Sequence, residues 1–207
     1  MPLVLPPESS LLSEDLRLQR HYAQASEALR NGRAEHAREW CRVWVERCPQ
    51  VPEFRILLRE AQLKLQFPEG DFHRSRRRLL PVLPGWPWLS SAPSSLKWCE
   101  RRLDRHALDV PANLRLADIA KQLGWIRTEI HALQTLLLNR VRQPAHVVRL
   151  GKLWLQQQHY SAAMQVCDTF LSCFPQHPDL IALRDQVALN ESMQMVRRDA
   201  GNNASEH

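Results

Sequence analysis

At 207 residues, with 44% hydrophobic and 24% charged residues, the chain has the balance of an ordinary soluble protein, long enough to bury a core as one domain or two small ones. No run of about 18 apolar residues occurs, so no membrane-spanning helix is expected. The net charge of +6 sits towards the front: residues 1–108 hold 18 Lys+Arg against 13 Asp+Glu and the remainder 10 against 9, a bias that favours acidic partners but lacks the long positive block of a nucleic-acid binder.

Residues 1–11 read as an irregular lead-in. The segment MPLVLPPESSLL has no early positive charge and is broken by prolines, so it is a poor signal peptide, and a cytoplasmic protein is expected. A helix follows from Ser13, with Ser13 as cap and Glu14 and Asp15 in the first turn, and Asn31-Gly32 stops it after Arg30. The second helix, about Ala34 to Arg47, carries the stripe Ala37, Trp40, Cys41, Trp44 and Cys48. Pro49 and Pro52 separate it from a third, to Gln66, with Phe54, Leu57, Leu58, Ala61 and Leu65 inward.

The middle is less regular. Phe67-Pro68-Glu69-Gly70 reads as a turn, Asp71 to Leu80 as a short arginine-rich helix, and PVLPGWPWLSSAPSS as an interruption. A helix resumes from about Ser94 to His106. Pro111 then opens a regular stretch with helices expected at 111–123, 126–141, 144–157, 160–174 and 178–195, before the polar tail RRDAGNNASEH. No strand-like alternation stands out. The five cysteines, Cys41, Cys48, Cys99, Cys167 and Cys173, are odd in number and mostly lie in apolar helical patterns, so buried free thiols are expected.

Leu116–Val141 can be laid over Leu150–Pro175 with a shift of 34 residues, which sets Gly124 opposite Gln158, Ala117 opposite Gly151, Leu133 opposite Cys167 and Leu136 opposite Phe170. Leu150-Gly151-x2-Trp154, Ala163-x3-Cys167, Phe170 and Pro175 resemble the tetratricopeptide repeat (TPR) pattern. Leu116-Ala117-x2-Ala120 with Gly124 and Leu133 fits one repeat earlier, although Glu129 stands where a small residue is usual. Ala25-x2-Ala28, Gly32, Ala37-x3-Cys41, Trp44 and Pro49 keep the spacing near the N-terminus; Arg59 breaks it in the second unit.

The resemblance implies an all-α, right-handed α-solenoid of stacked antiparallel helix hairpins, interrupted in the middle. The expected organisation is a lead-in at 1–11, N-terminal repeats at 12–84, a Pro/Trp-rich interruption with an extra helix at 85–109, C-terminal repeats and a capping helix at 110–196, and a disordered tail at 197–207. It also implies a non-catalytic interaction module, an adaptor, scaffold, or assembly or secretion chaperone, whose first helices line a groove for a partner's acidic peptide, C-terminal tail or helix. The groove positions would be Tyr22, Ser26 and Arg30, then Glu60 and Lys64, then Arg115, Asp118 and Lys121, and finally Arg149, Lys152 and Gln156. Tyr22 and Ser26 stand where chaperone-binding members of the family carry a lysine–asparagine clamp, so that particular activity is not expected.

Two features lie outside the repeat. Trp86 and Trp88 could dock a partner or plug the interruption. Arg74, Arg76, Arg77 and Arg78 could contact an anion, and the alternative reading is a nucleic-acid-associated factor using that run, although a solvated helix face accounts for it more simply. Cys167, Cys173 and His177 lack metal-ligand spacing, and neither a nucleophile motif nor a glycine-rich phosphate loop occurs, so no metal, cofactor or catalysis is expected. Oligomeric state stays open.

Overall fold

A computed structural model describes residues 5–11, 15–70, 92–138 and 143–203. Among these residues no strand occurs, and most neighbouring helices pack against each other in chain order. The helices are α1 (Leu16–Arg30), α2 (Ala34–Arg47), α3 (Pro52–Gln66), α4 (Ala92–Arg105), α5 (Val110–Leu123), α6 (Ile126–Leu138), α7 (Pro144–Gln156), α8 (Tyr160–Leu171) and α9 (Pro178–Asn203). They divide between two compact units, Met1–Val141 and Arg142–His207. The division falls after α6, so the extra helix α4 belongs to the same unit as α3 and α5.

The turns that close three hairpins share one device. Gly32 has φ +76°, while Arg33 N–H donates to Ala28 O (2.8 Å) and Gly32 N–H to Leu29 O (3.3 Å), the paired bonds of a Schellman turn. Gly124 repeats it at φ +72°, with Trp125 N–H donating to Ala120 O (2.8 Å). Gln158, the residue set opposite Gly124 by the 34-residue shift, adopts φ +59°, with His159 N–H donating to Trp154 O (2.9 Å). Short links of this kind return the chain antiparallel, which seats α1 on α2, α5 on α6 and α7 on α8.

Helix starts follow the expected chemistry with one change. Asp15, not Ser13, caps α1, its carboxylate accepting from Arg17 N–H at 3.0 Å; Ser13 lies outside the described residues. Asp109 caps α5 by accepting from Ala112 N–H at 2.9 Å, and Arg102 holds its other oxygen at 2.8 Å. Pro52, Pro111 and Pro144 sit in first turns, where a missing N–H costs nothing.

The first core gathers Ala25, Ala28 and Leu29 of α1, Ala37, Cys41 and Val45 of α2, and Phe54, Leu57, Leu58 and Ala61 of α3, with Leu11 of the lead-in joining them. Leu65 does not join; it is 37% exposed near the end of α3. In the second unit Ala163, Cys167, Leu183 and Val187 pack with Trp154, Leu155, Tyr160 and Met164. Gly151 leaves room for Leu183 of α9 against α7, since a Cβ there would lie 2.6 Å from Leu183 Cδ2. Burial pushes the Cys41 and Cys99 thiols up to about 12. Cys173 departs from the expectation of buried thiols, because it lies past the end of α8 and is exposed.

α9 is longer than its periodic pattern, running on to Asn203 through part of the tail expected to be disordered. No helix breaker interrupts the sequence between Pro178 and Gly201, which carries the helix past the expected end at residue 195. The expected arginine-rich helix and the Trp86–Trp88 segment lie outside the described residues.

Candidate functional site

The expected groove positions fall into two groups. Arg30, Lys64 and Lys121 are exposed in the last turns of α1, α3 and α5, and Lys152 is exposed on α7. Lys64 lies 3.3 Å from Glu60, an i,i+4 pair. The others are partly enclosed. Tyr22 turns its ring edge onto Phe54 at 5.7 Å, and burial first, then Glu53, pushes its hydroxyl pKa up. Arg115 reaches across to α4, donating to Ser95 Oγ at 3.3 Å. Ser26 and Arg149 are half-buried. Arg149 and Lys152 belong to the second unit and the rest to the first. Trp86, Trp88, Arg74, Arg76, Arg77 and Arg78 lie outside the described residues.

A polar seam that periodicity alone did not reveal joins α3 to α4. Arg55, Arg59, Gln62 and Gln66 recur on one face of α3 at helical spacing, and the first three are 1% exposed. Arg55 Nε donates to Glu100 Oε1 at 2.7 Å, and Arg55 Nη1 donates to Pro49 O at 3.1 Å and Thr128 Oγ1 at 3.4 Å. Arg59 donates to Gln62 Oε1 and places Nη2 3.5 Å from Glu100 Oε2. Gln62 Nε2 donates to Asp104 Oδ1 at 3.0 Å, and Gln66 Oε1 accepts from Ala107 N–H at 3.0 Å. One carboxylate thus faces two buried guanidiniums. Burial pushes Arg59 below its ordinary value, and Glu100 offsets part of that.

His131 of α6 lies within reach of the same charges. Burial first, then Arg59 and Arg55, push it down to about 3, and its Nε2 has no hydrogen-bond partner. The imidazole is therefore neutral in the folded protein at pH values where an unfolded histidine takes up a proton. A folded-state value below the unfolded one means that stability is fully present above about pH 6.5 and falls as the pH drops towards 3. The expected slope from this group is about 1.4 kcal/mol per pH unit. His131→Gln, which never titrates, should remove it; denaturant unfolding of both proteins at pH 7, 6, 5 and 4 would show the variant gaining on the wild type as pH falls. Parallel curves would refute the assignment.

Residues 6–11 are docked onto the helices. Glu8 caps α6 from far away in sequence, its carboxylate accepting from Arg127 N–H (2.9 Å), Thr128 N–H (2.9 Å) and Thr128 Oγ1 (2.8 Å). Ser9 N–H donates to Gln50 O at 3.0 Å, Leu11 N–H to Glu53 Oε1 at 3.2 Å, and Arg127 closes the circuit onto Glu53. Trp125, 0% exposed, donates its indole N–H to Pro6 O at 3.0 Å. These contacts join the start of α6 to the start of α3 through residues 6–11.

Among the described residues, no three His, Cys, Asp or Glu side chains gather as a metal site, and no helix is long and apolar enough to cross a membrane. No protein-family model matches the chain, and no curated protein matches its sequence. Among solved structures, a thermophilic TPR protein of Thermus thermophilus is similar at 19% identity, over 82% of this chain and 80% of that one, with a TM-score of 0.39.

Proposed function

We propose that this protein is a non-catalytic adaptor or scaffold that holds an acidic segment of a partner protein on the exposed faces of its first helices. The supporting observation is the recurrence of an exposed basic side chain on helices of the first unit, Arg30 on α1, Lys64 on α3 and Lys121 on α5; in the second unit, taken by itself, Lys152 on α7 is exposed as well. Schellman turns and packed cores hold the helices that carry these side chains in place before a partner arrives, so binding avoids the cost of ordering the backbone. Tyr22 and Arg115, engaged with Phe54 and Ser95, shape the surface and contribute less charge to it.

Charge reversal tests this reading. Capture of partners from the native extract should fall about tenfold or more in Lys64→Glu/Lys121→Glu and in Arg149→Glu/Lys152→Glu, with helix content unchanged. Capture unaffected by either pair would move the binding surface elsewhere. A salt titration against single-stranded and duplex probes separates the nucleic-acid alternative, which requires binding at low salt that weakens steeply as salt rises.

A further inference from the structure

The seat that holds residues 6–11 is built to read a peptide, and its resident fits it imperfectly. Three contacts go to the backbone, which any peptide offers. Trp125 donates its indole N–H to Pro6 O at 3.0 Å, while Ser9 N–H donates to Gln50 O and Leu11 N–H to Glu53 Oε1. Two side chains supply the selectivity. The Glu8 carboxylate accepts from Arg127 N–H, Thr128 N–H and the Thr128 hydroxyl, and Leu11, 8% exposed, enters the first core. Positive charge backs that carboxylate. Arg55, 1% exposed, places Nη1 3.4 Å from the same Thr128 hydroxyl, and the N-terminus of α6 adds its partial charge. Two polar atoms of this contact are nonetheless left over: Ser9 Oγ and Glu53 Oε2 are buried without a hydrogen-bond partner. Each such orphan weakens the contact, so another sequence would fill the same seat better.

We propose that this seat binds a segment of a partner protein that carries a glutamate followed three residues later by a leucine, and that residues 5–11 occupy it until the partner displaces them. The resident's own contacts define what fits: a free carbonyl two residues before the glutamate, N–H groups one and three residues after it, and the leucine. A small apolar residue in place of Ser9 removes one buried orphan, so the preferred ligand reads Glu-Ala-x-Leu. Belonging to the same chain gives the resident an effective concentration on the order of millimolar, which excludes weak chance binders but yields to a better-fitting segment. A second copy of this chain is the poorer occupant. Its residues 5–11 bring the same Ser9 and the same orphan, without the advantage of the tether. The seat lies at the starts of α3 and α6, whereas Lys64 and Lys121 stand in the last turns of α3 and α5, so it is independent of the basic faces.

Fluorescence anisotropy of the full chain with a labelled synthetic peptide of residues 5–11 tests this. Glu8→Lys/Leu11→Ser removes both side-chain anchors of the resident and empties the seat. That chain should bind the peptide with a Kd of about 100 µM, and a Ser9→Ala peptide about fivefold tighter. The wild type should bind both peptides about tenfold more weakly or worse, because the tethered segment competes. Adding Thr128→Val to the emptied chain should weaken binding about tenfold. Glu8→Lys alone, which leaves the core untouched, should give the same order if the double variant loses helix content. On the wild type, the Ser9→Ala peptide at about 1 mM should speed proteolysis at residues 5–11, which binding elsewhere would not do. Four results would each overturn the proposal: no binding to either emptied chain, equal binding to wild-type and emptied chains, a Ser9→Ala peptide no tighter than its parent, or a wild-type dimer that Glu8→Lys dissolves.

Discussion

Glu100→Ala is expected to lower the unfolding free energy by about 3–5 kcal/mol, the range for removing one partner of a buried ion pair. The magnitude follows from what the substitution leaves behind. Arg55 and Arg59 are each 1% exposed, and Glu100 faces both, at 2.7 Å and 3.5 Å. Arginine cannot shed its proton, so the loss cannot be absorbed by neutralisation. Asp104 is engaged through Gln62. Urea unfolding should show a lower midpoint with an unchanged slope. Glu100→Gln, which keeps an acceptor but loses the charge, should fall between the wild type and alanine. A loss below about 1 kcal/mol would mean that water enters from the rim, where Glu100 is 18% exposed, and hydrates the arginines.

This seam also marks a boundary of what the sequence discloses. The hairpins were legible because helical periodicity and turn chemistry are local. Gly32 and Gly124 need a left-handed conformation that glycine adopts freely, and the 34-residue alignment carried the same turn to Gln158, where no glycine announces it. Arg59 registered only as a departure from the small residue expected at its position. Its physical meaning required Glu100, on the far side of the interruption. A signal was nonetheless present: Arg55, Arg59, Gln62 and Gln66 on one helix face matching Glu100 and Asp104 on another, a pairing of stripes that hydrophobic periodicity does not score. The candidate partner residues divide by the same logic. Lys64 and Lys152 lie on exposed faces, while Tyr22 and Arg115 meet Phe54 and Ser95, contacts set by helix packing.

Trp125→Ala should cost about 3–5 kcal/mol by the cavity it leaves and should also release the lead-in. The ring is 0% exposed, its N–H is the donor to Pro6 O, and the Arg55 guanidinium lies 5.7 Å from its centroid. Without it, the segment that carries Glu8 to the N-terminus of α6 loses an anchor beside the cap. Limited proteolysis should then cut at residues 5–11 faster than in the wild type. Trp125→Phe keeps most of the volume but not the donor, and should cost about 1–2 kcal/mol while loosening the lead-in nearly as much. Equal protease resistance in all three proteins would show that Glu8 and Leu11 hold the segment unaided. Arg55 touches both Trp125 and Glu100, so the two losses should not add. In Glu100→Ala/Trp125→Ala, Arg55 gains room to leave its buried position, and the combined cost should fall short of the sum by about 0.5–3 kcal/mol. Strict additivity would mean that the seam and the lead-in are separate structures, with α3 carrying each on its own.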